Sequence, residues 1–163
     1  TDAAETEKWL RMQTLTQVAD GLLNIACLLV FLMWIYRATV GVRALGQQTM
    51  NGPRLAVVSF LIPIANCVWG PVHAVSVVRG MATAAQRKRP PVLVIMWWLA
   101  MAGASVLGVG AAFVMSIQGI AGDAYTITLM SKATLAVAGV LTVAWMYEVG
   151  MDQRRALAIL DTM

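Results

Sequence analysis

Long apolar runs separated by short clusters of charge set the pattern of this chain. No Asp, Glu, Lys or Arg occurs between Asp20 and Arg37, between Arg54 and Arg79, or between Arg89 and Asp123. A helix needs about 20 predominantly apolar residues to cross the hydrocarbon core, and it satisfies its own backbone groups there. No alternation of the β-barrel kind is visible. The pattern predicts four helical spans, at about 15–36, 55–78, 92–117 and 127–147. The first closes on Trp34, Ile35 and Tyr36, an aromatic edge of the sort found at membrane surfaces. Residues 37–53 alternate Arg37 and Arg43 with Val40, Val42, Ala44 and Leu45, and are expected to lie flat at the interface before turning at Asn51, Gly52 and Pro53. Residues 1–14, with Trp9 and Met12 toward the interface, and the tail 150–163 are amphipathic in the same sense. The expected fold class is all-α: a four-helix transmembrane bundle with amphipathic N- and C-terminal segments, forming one domain over 1–163.

Composition strengthens this reading. Apolar residues make up 60% of the chain and charged residues 12%, against about a quarter charged in soluble proteins. The net charge of +4 does not point to nucleic acid, because the cations gather at the ends of apolar runs. There they set orientation and meet anionic headgroups. With four spans, Lys8, Arg11, Arg79, Arg87, Lys88, Arg89, Arg154 and Arg155 fall on one side, and Arg37, Arg43, Arg54 and Lys132 on the other. Both termini are then expected in the cytoplasm. The opening TDAAETEKW also lacks the features of a signal peptide. A rival arrangement folds 55–78 into a re-entrant hairpin broken at Pro63 and Pro71. It leaves three spans, places nine cations against three, and puts the N-terminus outside. Four spans are preferred because the uncharged run between Arg54 and Arg79 is long enough to cross. Cys27 and Cys67 lie within apolar runs without metal-ligand spacing and read as small packing residues.

Two blocks carry a resemblance. Trp34, Arg37, Ala38, Leu45 and Gly46 form the first, and Phe60, Pro63, Ile64, Asn66 and Pro71 the second. Together they resemble the bacterial membrane family catalogued as domain of unknown function 4328. Gly41 stands where members often carry Asn, and HAVSVVRGM replaces an acidic or tryptophan-bearing run. The resemblance implies the four-span fold in a bacterial membrane and implies no activity.

Several residues are candidates for chemistry or shape. Pro63 and Pro71 each remove a helical hydrogen bond, and Asn66 can meet the freed groups, giving a bent span pinned by one amide. The other reading is a pathway at mid-membrane lined by the bent helix. His73, the only histidine, is an ionisable group in an apolar run and so a functional candidate. It could ligate a haem or a chlorophyll-type pigment with Trp69 one turn away, relay protons, or stand neutral against a backbone carbonyl. A single histidine excludes bis-histidine haem within one chain. Asp20 shares a face with Asn24; it reads first as a helix-start aspartate solvated at the interface, and otherwise as half of an ion pair fixing spans one and two, with Arg79, or secondarily Arg11, as partner. Lys132 is expected to snorkel, with Asp123 within reach. Ala100, Ala104, Gly108 and Ala112 form a small-residue ridge, flanked by Gly103 and Gly110, expected to pack against a partner protein or against another helix of the bundle. Thr134, Ala138 and Thr142 offer a matching ridge.

No nucleophile–base pair, HExxH, GxSxG or phosphate loop occurs, so an enzyme is not expected, and no metal or resident cofactor is called for. The leading expectation is a non-catalytic accessory or assembly subunit that packs against a larger bacterial membrane complex. Its partners are the lipid bilayer and other integral membrane proteins, in the cytoplasmic (inner) membrane. One alternative is a small transporter or lipid- or ligand-binding membrane protein using the proline-bent span two, with Asn66 and His73 lining the path. The other is a pigment- or haem-bearing subunit through His73.

Overall fold

The computed structural model describes residues 3–118 and 121–162, and their side chains except at 3, 4, 6, 9, 63–65, 115, 117, 118 and 121–125. The expectations for Trp9 and for Asp123 meeting Lys132 lie outside the described side chains. Among the described residues five helices follow one another: α1 Ala3–Ala44, α2 Pro53–Leu61, α3 Pro63–Ala84, α4 Val92–Gln118 and α5 Ala121–Asp161. Three of them, α1, α4 and α5, contain segments long and apolar enough to cross a membrane. The all-α class holds, but the expected second span is divided between two helices.

Local chemistry accounts for each boundary. Ile62 is extended, with φ −89° and ψ 115°, because a residue before proline is pushed out of the helical region. α2 therefore stops at Leu61, and Pro63 opens α3 at the position where its missing N–H costs nothing. Pro71, expected to break the segment a second time, sits inside a continuous α3. Gly46, at φ 76°, ends α1: its N–H donates to Arg43 O and that of Gln47 to Val42 O. This paired closure needs a left-handed residue, which glycine supplies without strain. Gln86 ends α3 in the same way at φ 54°, with Gln86 N–H on Thr83 O and Arg87 N–H on Ala82 O.

Helix direction settles how many times the chain passes through the molecule. Asp20 pairs with Lys132, Trp34 packs edge-on to Trp145, and Gly41 lies against Gln153. All three pairs share the same sequence offset to within one residue, so α1 and α5 run parallel. First and last spans of a four-span chain would be antiparallel. The even crossing is lost in the α2–α3 segment. Gly52 lies near Arg43 and Gly70 against Phe60, while Phe60 meets Phe31. α2 thus runs back along α1 from its end. α3 returns, placing His73 beside Thr39 and Gly80 against Val42. Both ends of this hairpin lie at the same end of the molecule, so the expected second crossing is not found, and among the described residues three helices are long and apolar enough to cross.

The terminal segments are also corrected. Residues 3–14 and 150–161 are not separate interfacial helices but extensions of α1 and α5, and residues 37–44 are the last two turns of α1. At 1.5 Å per residue α1 is about 60 Å long, twice the hydrocarbon thickness. The core occupies the end where the hairpin sits. Leu32, Ile35, Ala38 and Val42 of α1 pack there with Ala74, Val77 and Met81 of α3 and Trp145 and Val149 of α5. At its inner edge Phe31, Trp34, Phe60, Trp97 and Trp145 form an aromatic cluster, with Trp34 and Trp145 centroids 4.9 Å apart at 88° and Phe31 and Phe60 5.0 Å apart at 85°. Such edge-to-face pairs contribute about 0.5–1.5 kcal/mol beyond area burial. Every residue from Leu10 to Val30, in contrast, is exposed.

Candidate functional site

The hairpin positions His73 at the centre of the packed end. Its side chain is fully buried, and Nε2 lies 3.0 Å from Thr39 Oγ1. That hydroxyl has one proton, which it donates to Ile35 O at 2.7 Å. The imidazole must then carry its proton on Nε2 and donate it to Thr39, leaving Nδ1 as a bare acceptor. Nδ1 is indeed buried without a hydrogen-bond partner. His73 lies on α3, outside the three helices that are long and apolar enough to span. Burial, followed by the neighbouring Arg43 guanidinium, pushes the imidazole down to about 4, consistent with the neutral tautomer. Its main-chain carbonyl accepts from Ser76 Oγ, which in turn accepts from Met50 N–H. Arg43 Nε donates to Thr49 Oγ1. The α1–α2 loop is thereby tied to α3 around the histidine.

The other candidates fall into different surroundings. Trp69, one turn from His73, is 55% exposed, so the two do not face a common pocket. A ring ligated by His73 would have to reach a sealed Nδ1. Asn66 is half-buried, its Oδ1 set against the bare Cα of Gly70 beside the Phe60 ring. The notch at Gly70 seats the amide within α3, beside the Phe60 ring of α2. Cys27 and Cys67 are free and exposed rather than packed. Among the described residues no group of three or more His, Cys, Asp or Glu stands close enough to hold a metal ion.

The small-residue ridge is used within the chain. Ala104 is buried, as is Ala138 on α5, and Ser131 Oγ donates to Ala104 O at 2.8 Å. Gly103 faces Thr134. α4 and α5 approach along this seam, with Ala100 half-buried at its edge and Gly108 and Ala112 left exposed.

Asp20 has a different partner from the one expected. Its carboxylate lies 3.6 Å from Lys132 Nζ. Arg79 sits at the opposite end of α1, since its neighbour Gly80 meets Val42, and Arg11 pairs with Glu7 at 2.7 Å. The parallel course of α1 and α5 brings Asp20 to Lys132, which the four-span arrangement could not do. Asp20 belongs to a polar stripe. Gln13, Gln17, Asp20 and Asn24 recur at helical spacing on one face of α1, all exposed. Further along, the same face becomes Phe31, Ile35, Ala38 and Val42, the core-facing residues. Asn24 Nδ2 donates to Asp20 O at 2.8 Å, so its amide is satisfied only within its own helix.

Two ion pairs that the sequence did not single out close the basic end. Arg87 reaches the buried Asp152 at 3.1 Å, and Arg89 reaches Glu148 at 2.9 Å. Glu148 and Asp152 stand four residues apart on α5, a spacing that signals one charged face. Thr39 was missed as well, because nothing local marks it as the partner of a residue on another helix.

An all-helical membrane protein is the class these features define: three helices able to span, a helical hairpin packed at one end, and an exposed polar stripe on the first helix. The chain belongs to the family described as domain of unknown function DUF4328, whose model matches residues 1–150. No curated protein and no solved structure matches it.

Proposed function

We propose that this protein is a non-catalytic accessory or assembly subunit whose first helix holds a transmembrane segment of a larger membrane complex. The stripe Gln13, Gln17, Asp20 and Asn24 carries the reading. It continues the buried face of α1 yet is uncovered over the whole of its length. Asp20 and Asn24 lie within the apolar segment Leu10–Ala44, where lipid contact with polar side chains is unfavourable. A charged group at the centre of a span costs about 2.5–3.5 kcal/mol on insertion scales. Its ion pair with Lys132 is itself open, with 54% and 66% of the two side chains exposed. A second helix laid along the stripe would cover these groups and gain interhelical hydrogen bonds worth about 0.6 kcal/mol each.

Orientation follows from charge. The three-pass arrangement collects Arg37, Arg43, Arg54, Arg79, Arg87, Lys88, Arg89, Arg154 and Arg155 at the hairpin end, and Lys8, Arg11 and Lys132 at the other. The excess of cations favours the hairpin end in the cytoplasm. The C-terminal tail keeps the side expected from the sequence, and the N-terminus moves to the opposite one.

Size-exclusion chromatography after extraction from the native membrane in mild detergent tests the proposal. The wild-type chain is expected within a particle much larger than its own 17.5 kDa in a micelle. Asp20→Leu with Asn24→Leu is expected to release it as a single folded chain. A wild-type protein that elutes alone overturns the reading.

A further inference from the structure

We infer that the cleft at the end of α3 binds the phosphate headgroup of an anionic phospholipid, with an acyl chain laid down the same helix. Arg79, Thr83, Arg87, Lys88 and Arg89 line this open cleft. The turn that builds it is held at a cost. Gln86 is the only non-glycine residue with positive φ in the described chain, and a left-handed backbone is unfavourable for any residue with a Cβ. Strained residues of this kind concentrate where a segment must be aimed. Here the turn sends residues 87–89 back over the last turns of α3.

The four cations are not equivalent. Arg87 and Arg89 are fixed by Asp152 and Glu148. Arg79 and Lys88 have no carboxylate within ion-pair distance among the described residues, and both are exposed. The fixed pairs hold the walls, and two uncompensated charges face the opening.

What lies below the cations distinguishes a lipid from a soluble anion. Along the face of α3 that carries Arg79, the preceding positions at helical spacing are Val75, Val72 and Val68. Val72 and Val68 are 47% and 61% exposed. A cationic head above half-buried Val75 and open Val72 and Val68 is complementary to a molecule with a phosphate at one end and hydrocarbon at the other. The cleft also sits where α4 begins its apolar run at Val92, at the height of the headgroups. Basic pockets between helices on the cytoplasmic side are suited to such headgroups.

Native mass spectrometry of the full chain in neutral detergent, titrated with phosphatidylglycerol, cardiolipin or phosphatidylcholine, tests this. The anionic lipids are expected to remain bound and phosphatidylcholine to be lost. Arg79→Gln with Lys88→Gln should weaken anionic-lipid binding roughly thirtyfold, and Lys88→Gln alone roughly fivefold. Arg154→Gln with Arg155→Gln, the same charge change at the same end, should leave it within about twofold. Val68→Ser with Val72→Ser should weaken lipid binding as well. Equal losses in the two double-arginine and arginine–lysine variants would reduce the site to a diffuse field and overturn the assignment. Displacement of the lipid by equimolar inorganic phosphate would show a soluble-anion site, which also overturns it. Since the substituted side chains are exposed, helical circular dichroism is expected to be unchanged, and a variant that fails this check is replaced by the Lys88 single substitution.

Discussion

Gly80 shows how tightly the hairpin is fitted to α1. A methyl group added there would come within 2.6 Å of Val42 Cγ1, and Val42 is fully buried with a β-branched side chain that has little rotameric freedom. Gly80→Ala should therefore lower stability by about 1–3 kcal/mol, the usual cost of overpacking, read as a fall in the thermal midpoint in detergent. Gly139, around which nothing lies within 4 Å, is the control: Gly139→Ala should leave the midpoint unchanged or raise it. Sequence alone could mark Gly80 as small, but not what presses on it. The same is true of His73. An ionisable group in an apolar run was legible, whereas its tautomer depended on Thr39, a residue 34 positions away that the helix pairing brings to it.

At the scale of elements the hairpin is the main departure from expectation. The break itself was visible as a proline in a long apolar run. Hydropathy could not tell a crossing from a return, because it measures how apolar a segment is and not which way it runs. The nine residues of α2 rise only about 14 Å, less than half the hydrocarbon thickness. α3 then retraces that path beside α1. The Thr39–His73 hydrogen bond ties the middle of α3 to the last two turns of α1. Thr39→Val keeps the shape but leaves the buried Nε2–H without an acceptor, and should cost about 1–3 kcal/mol. Adding His73→Phe should recover part of this loss in a double-mutant cycle. No change in midpoint on Thr39→Val would mean that apolar packing alone seats the hairpin.

For the whole molecule, the direction of α5 relative to α1 governs topology. In a background with Cys27 and Cys67 replaced by Ala, Glu5→Cys should react with a membrane-impermeant maleimide on intact cells, and Arg155→Cys only after permeabilisation. Labelling of both positions from the same side would require an even number of crossings and defeat the three-pass arrangement. The sequence contained the relevant signal. Nine cations against three is a stronger asymmetry than eight against four, and it belongs to the hairpin arrangement. The length of the run from Leu55 to Val78 outweighed that count in favour of a crossing. The all-helical class, the three long apolar helices and the α4–α5 seam were legible because they depend on local spacing. The aromatic cluster and the Asp20–Lys132 pair were not, since both require the first helix to meet the last.

That meeting has a consequence for how the protein is made. α1 leaves the ribosome with its Phe31 and Trp34 face uncovered and Asp20 without its counter-ion. The Trp145 and Lys132 that complete them come only after α2, α3 and α4. At translation speeds this leaves roughly 5–20 s between the end of α1 and the arrival of Trp145. For that interval the nascent chain has neither the aromatic cluster nor the ion pair that join its first helix to its last.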